Sequence, residues 1–202
     1  MFRLIKITFK ALILVLALAG FNAIGGQKYI EAIVSNIDSF INAHNMSTIE
    51  KIGNFSNINE EFEIDRSVNL MGYKAVIAEH KASNQKLVIL DTGKKTLLSS
   101  DDIQGNGIEE KLQNLSEKFK YQGIRVQNIN VVSRGKINIY DQEVPYAKFE
   151  AKVSKLPVSD ISGMIASVKT SDGSEKLALS LNERKKYSQL ITSEFYKEVK
   201  EK

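Results

Sequence analysis

Two hydrophobic periods divide this chain. Between Ile30 and Ile41, apolar residues Ile30, Ile33, Val34, Ile37, Phe40 and Ile41 recur at three and four, with Glu31, Ser35, Asp38 and Asn42 opposite them. That spacing predicts an amphipathic helix. Asn45-Met46-Ser47-Thr48 is expected to end it, because such side chains compete for backbone hydrogen bonds, and the polar segment 45–60 reads as a loop or linker. From Glu61 the period falls to two: Phe62 and Ile64 alternate with acids, and Tyr73, Ala75 and Ile77 alternate with Lys74, Val76 and Ala78. These are strands. After the turn Ala82-Ser-Asn-Gln85, the unbroken apolar run Leu87-Val-Ile-Leu90 predicts a central strand covered on both faces.

A helix is expected from Gly107, with Ile108, Leu112, Leu115 and Phe119 on one stripe, Glu109 and Glu110 in the first turn and Gly123 at its end. Strands follow at 124–132, 136–140, 145–153, 162–169 and 176–181, and Asp172-Gly173 marks a hairpin turn. Asn182 is expected to cap a last amphipathic helix whose Tyr187, Leu190, Ile191, Phe195 and Val199 face inward. The fold class is therefore α+β, an antiparallel sheet flanked by helices. From Glu61 onward the element order resembles the PsbP-like α/β/α superfamily, including its bacterial envelope members. The final stretch carries that likeness: Ile165-Ala-Ser-Val-Lys169, Lys176-Leu-Ala-Leu-Ser180 and Phe195-Tyr-Lys-Glu-Val199. The resemblance implies a non-enzymatic domain that docks on or assists a membrane-associated complex, and it supplies no functional residue.

Composition changes this picture mainly through the N-terminus. Arg3, Lys6 and Lys10 precede Ala11-Leu-Ile-Leu-Val-Leu-Ala-Leu-Ala19, and the small-x-small triplet Ala17-Leu18-Ala19 precedes Gly20. This is the pattern of a cleavable secretory signal, cut after Ala19. Read from Leu4 to Ile24, the same stretch also has the length of an uncleaved membrane anchor. Three parts are expected: a signal peptide or anchor over 1–26, an amphipathic helix and linker over 27–60, and an α/β domain over 61–202. The formal charge of +4 comes largely from the leader: without Arg3, Lys6 and Lys10, 25 of the 28 basic residues remain against 24 acidic ones. The exported part is thus close to neutral, which argues against a nucleic-acid partner. With no cysteine in the chain, disulfides, thiolate metal sites, a Cys nucleophile and a lipidated Cys are all excluded.

Candidate chemistry is sparse. Val88-Ile89-Leu90-Asp91-Thr92-Gly93 matches the apolar-Asp-Thr-Gly core of aspartic proteases, where two carboxylates share a proton. One copy would require a homodimer built on Asp91, whereas a strand ending in a turn has the same sequence. His44 and His80 have no second ligand at metal spacing, and Glu79-His80 in a strand would point to opposite faces. Asp101-Asp102-Ile-Gln-Gly105-Asn-Gly107 has calcium-loop composition but not its alternate-position oxygens, and helix capping is the competing role. Lys94-Lys95 and Arg184-Lys185-Lys186 could meet an anionic lipid or acidic partner, or form a solvated face. Asn45, Asn54 and Asn114 begin glycosylation-type triplets, relevant only in a eukaryotic secretory route. No catalytic set, metal or cofactor is expected. The expected role is an exported, non-catalytic binding or accessory protein of the bacterial cell envelope, periplasmic or extracellular, meeting a protein or small ligand there and held to the membrane if residues 1–26 stay. The alternatives are a membrane-anchored structural envelope subunit and the Asp91 protease dimer.

Overall fold

The structure, a computed structural model, describes residues 46–70, 73–93, 96–117, 126–154 and 160–202. The leader, the helix expected between Ile30 and Ile41, His44, Asn45, the Lys94-Lys95 pair, Phe119 and Gly123 lie outside them. The described elements run α1 (Met46–Ile52), β1 (Phe62–Leu70), β2 (Tyr73–His80), β3 (Gln85–Asp91), α2 (Ser100–Gln104), α3 (Ile108–Glu117), β4 (Val126–Ile139), β5 (Gln142–Val153), β6 (Asp160–Lys169), β7 (Glu175–Glu183) and α4 (Gln189–Glu198). All seven strands form one antiparallel sheet in the order β1-β2-β3-β7-β6-β5-β4. Two meanders, β1–β3 and β4–β7, are thus zipped together where β3 pairs with β7. The fold is α+β, as the alternating periods imply.

Strand alternation sends side chains to two separate cores. One face gathers Val68, Ile77, Val88, Leu90, Phe149, Ile165, Leu177 and Leu179 against Leu98, Ile103 and Ile108 from α2, α3 and the segment before them. The other gathers Val76, Leu87, Ile89, Ile139, Met164 and Ala178 against Ile49 and Ile52 of α1 and Phe195 and Tyr196 of α4. Every residue of β3 is buried, as its continuous apolar run requires of a central strand. Tyr196, fully buried, donates its hydroxyl proton to the Leu179 carbonyl at 2.7 Å and lies 3.0 Å from that of Val88, which pins α4 across the β3–β7 seam. Desolvation raises the Tyr196 pKa, so the hydroxyl stays a donor.

Three expectations change. Segment 45–60, expected as a loop, carries α1, whose Thr48, Ile49 and Ile52 are buried. Its last carbonyl, on Ile52, accepts from Tyr140 Oη at 2.7 Å and from Lys176 Nζ at 2.8 Å. Asn54 then pairs with Lys200, so this segment is tied to the chain end and belongs to the packed body. Strands 124–132 and 136–140 are, over the described residues, one long edge strand, β4, with register shifts between Gln127 and Asn130 and between Val131 and Ser133. Asn182 does not cap the last helix: it is the buried penultimate residue of β7, donating to Ser83 O at 3.1 Å. The cap is Ser188, whose hydroxyl accepts from Ile191 N, and Leu190 points out at 76% exposure while Phe195 and Tyr196 face in.

Turn chemistry follows the sequence at Asp172-Gly173. Gly173 takes φ +79, and the Asp172 side chain accepts from Ser174 N at 2.9 Å and from the Thr170 hydroxyl at 2.8 Å. The β4–β5 connection is less conventional, since Tyr140 and Asp141 hold φ 53 and 59 where Asn-Gly would be usual. Tyr140 accepts that left-handed backbone while its ring is buried beneath α1 and its hydroxyl holds Ile52.

Candidate functional site

The residues singled out for chemistry are engaged locally. Asp91 is 7% exposed at the end of β3, where its Oδ1 accepts from Gly93 N at 2.7 Å and its Oδ2 lies 3.4 Å from Lys74 Nζ. Gly93 takes φ +61, so the Asp-Thr-Gly sequence closes a turn. His80 packs edge-on against Phe62 at 5.3 Å and accepts at Nδ1 from Ser83 N at 3.2 Å. Its Nε2 faces Glu61 at 3.6 Å. Glu79 points to the opposite face, where it meets Lys86. Asp102 and Ser99 form a reciprocal capping box on α2, Asp102 N donating to Ser99 Oγ at 3.2 Å and Ser99 N to Asp102 Oδ2 at 2.9 Å. Gly105 N donates to Asp101 O at 2.8 Å and ends that helix. Asn54 turns its own segment by accepting from Ser56 N at 2.9 Å, and Asn114 lies on α3.

Several of these contacts act on acid stability. The Ser174 amide and hydroxyl and the Thr170 hydroxyl hold the Asp172 carboxyl down at about 2, from an ordinary 3.8. Lys111 and the Ser99 backbone lower Asp102. Burial alone would raise Asp65, but Lys86 and Arg66 together bring it below its usual range. A carboxyl with a depressed folded value contributes stability that is present above its unfolded value near 4 and is lost as pH falls through the folded one. The thermal midpoint, followed by circular dichroism, should therefore stay level down to about pH 4 and drop between about pH 4 and 2. Asp172→Asn should flatten part of that drop, and a midpoint constant to pH 2 would refute the assignment.

Two surfaces adjoin α4. A cleft of about 470 Å³ is lined by Asn57, Asn138, Asp141, Glu194, Lys197, Glu198 and Lys200. Its acids are engaged: Asn59 N donates to Glu198 at 2.6 Å, Asn59 Nδ2 to Glu194 at 3.2 Å, and Lys200 pairs with Asp141. The second surface lies on the same face of the sheet, along β5, beyond Ile137 and Ile139, which pack in the core with Phe195 and Tyr196 of α4. Here β5 alternation places Tyr146, Lys148, Glu150 and Lys152 on one side, with Ala147, Phe149, Ala151 and Val153 in the opposite core or buried beside it. The turn after β7 folds back onto this face. Arg184 reaches Glu150 at 2.9 Å, and the Tyr187 ring lies under Lys148 Nζ at 5.2 Å from its centroid. Tyr187 Oη is held 3.0 Å from Ser180 Oγ and donates to Gln189 Oε1 at 2.9 Å. Across the strands, Tyr146 covers Gly135, whose position leaves no room for a Cβ beneath the ring. The basic triplet Arg184-Lys185-Lys186 was legible in the sequence; the pairing of Arg184 with Glu150 and the seat of Lys148 on Tyr187 depend on strand register and were not.

The class of protein defined by these layers is a three-layer α+β sandwich. No protein-family model and no curated protein matches the chain. Among solved structures it is similar to cyanobacterial PsbP (CyanoP) from Synechocystis sp. PCC 6803, at 12% identity and a TM-score of 0.30, over 68% of this chain and 84% of that one. The likeness is a coarse one at the level of fold and brings no residue role with it. Among the described residues, no helix is long and apolar enough to cross a membrane.

Proposed function

We propose that this chain is an exported, non-catalytic binding or accessory protein of the bacterial cell envelope. The carrying observation is the division of labour among its polar side chains. Asp91, His80 and Asp102 each serve a turn, a loop or a cap, whereas the Lys148 ammonium, over the Tyr187 ring, has no such duty among the described residues. The N-terminal leader supplies the route, and its apolar stretch supplies the hold on the membrane if it stays.

Expression with the native N-terminus in a bacterial host, followed by fractionation and intact mass, tests the route. The expected product is either periplasmic and shortened after Ala19 or full-length in the membrane fraction. Full-length protein in the cytosol would sink the proposal. The non-catalytic part fails if the purified protein cleaves a protein substrate at acid pH and Asp91→Asn abolishes that cleavage.

A further inference from the structure

We propose that the open face around Lys148 docks an acidic segment of a partner protein, a reading that rests on the accessory role above. Lys148 is half-buried midway along β5, an inner strand paired on both sides, where its cross-strand neighbours are Ser133 and Met164. Its ammonium sits over the Tyr187 ring and, among the described residues, meets no carboxylate. A cation already positioned by an aromatic ring loses less side-chain freedom on pairing with an incoming carboxylate than an unrestrained surface lysine does.

The surrounding charges sharpen the class of partner. Glu150, two residues after Lys148 on the same side of β5, is already taken by Arg184, and Glu183 is taken by Lys186 at 2.9 Å. Lys148 meets no carboxylate among the described residues, and exposed Lys152, with Asp160 across from it on β6, has no ion pair there. The face is therefore locally positive on a domain that is close to neutral, with acids interleaved among the lysines. A bilayer or nucleic-acid backbone responds to a broad basic field, which this interleaving denies; a protein segment with placed carboxylates responds to individual pairs. The aromatic and apolar groups point the same way. Tyr146 and Tyr187 are half-buried beside the lysine, and Leu190, three residues after Tyr187 in the first turn of α4, is 76% exposed.

The test is a photo-crosslinking residue, benzoylphenylalanine, at position 190 of the full-length chain in native envelopes, with the same probe at exposed Asn69 on the far edge strand as a reference. The expected result is a protein adduct whose crosslinked peptide is rich in Asp and Glu. Its yield should fall at least about fivefold in Lys148→Glu/Lys152→Glu, fall with added salt, and survive in Lys148→Arg. Unchanged melting temperatures verify that the variants are folded. The proposal is overturned if the adduct persists after charge reversal, if its segment is neutral or basic, if it is lipid or nucleic acid, or if none forms. A specific protein adduct from position 69 alone would remove this face and leave the accessory role standing.

Discussion

Gly163→Ala will destabilise the protein by about 3 kcal/mol, at the upper end of overpacking costs in a filled core. The general rule for strands points the other way, since glycine in a strand interior costs about 0.5–1 kcal/mol relative to alanine. Space decides the sign. A Cβ at Gly163 would stand 2.6 Å from Leu181 Cδ2, 2.6 Å from the Ser180 carbonyl oxygen and 2.7 Å from Phe149 Cζ. Phe149 and Leu181 are its cross-strand partners on β5 and β7, and their side chains close over the bare backbone from both sides. Trimming Leu181 could relieve one contact, but the Ser180 oxygen belongs to the neighbouring strand and cannot turn aside. Gly163→Ala/Leu181→Ala should accordingly recover none of the loss and add a cavity cost of its own. In thermal unfolding, about 3 kcal/mol corresponds to a fall of roughly 6–12 °C for a domain of this size. An alanine variant as stable as the parent would show that β6 can move away from its neighbours.

Gly163 also illustrates how far the sequence carries. In Asp160-Ile-Ser-Gly-Met-Ile-Ala-Ser-Val168 the glycine marks a strand where something comes close, without saying what. The apolar run of Leu87 to Leu90 correctly assigns the centre of the sheet, because that pattern is local and unbroken. The pattern fails where parity is interrupted. In β4 the register shifts near Asn128 and Val132 move side chains between faces, so one strand reads as two. Helix α1 is too short for a helical period to emerge from Thr48, Ile49 and Ile52.

Asn182 and Ser188 are both capping residues by type, and the choice between them turns on whether β7 continues. It does, because Lys176, Ala178, Ser180 and Asn182 all find partners beneath α4, α1 and the returning turn. Leu190 satisfied the helical spacing but falls on the outer side once the helix starts at Gln189. Of the candidate site, only the charge run 184–186 could be seen. Lys148 looks like any solvent-side residue of an alternating strand until the fold sets Tyr187 against it.

The same dependence on register makes Lys86 the subject of the second large effect: Asp65→Asn/Glu79→Gln will cost about 3–5 kcal/mol, while Lys86→Met will cost no more than about 1 kcal/mol. Lys86 lies at the start of the apolar run of β3 and is 1% exposed. Its ammonium meets Glu79, its cross-strand partner on β2, and lies 3.3 Å from Asp65, which the irregularity in β1 between Ile64 and Arg66 brings to it. The two carboxylates keep about 20% side-chain exposure, so water can take over when the lysine is gone. The lysine has no such recourse. Neutralising both acids leaves a cation in the sheet's interior without counter-charge, and the cost of that desolvation is what the double variant measures. Adding Lys86→Met to the double variant should then restore most of the lost stability, because the uncompensated charge disappears and the methionine stem fills the same volume. Urea unfolding of the three variants distinguishes the outcomes. Equal losses for Lys86→Met and the double variant, or no recovery in the triple variant, would mean that packing around Lys86 and not its charge governs this part of the sheet.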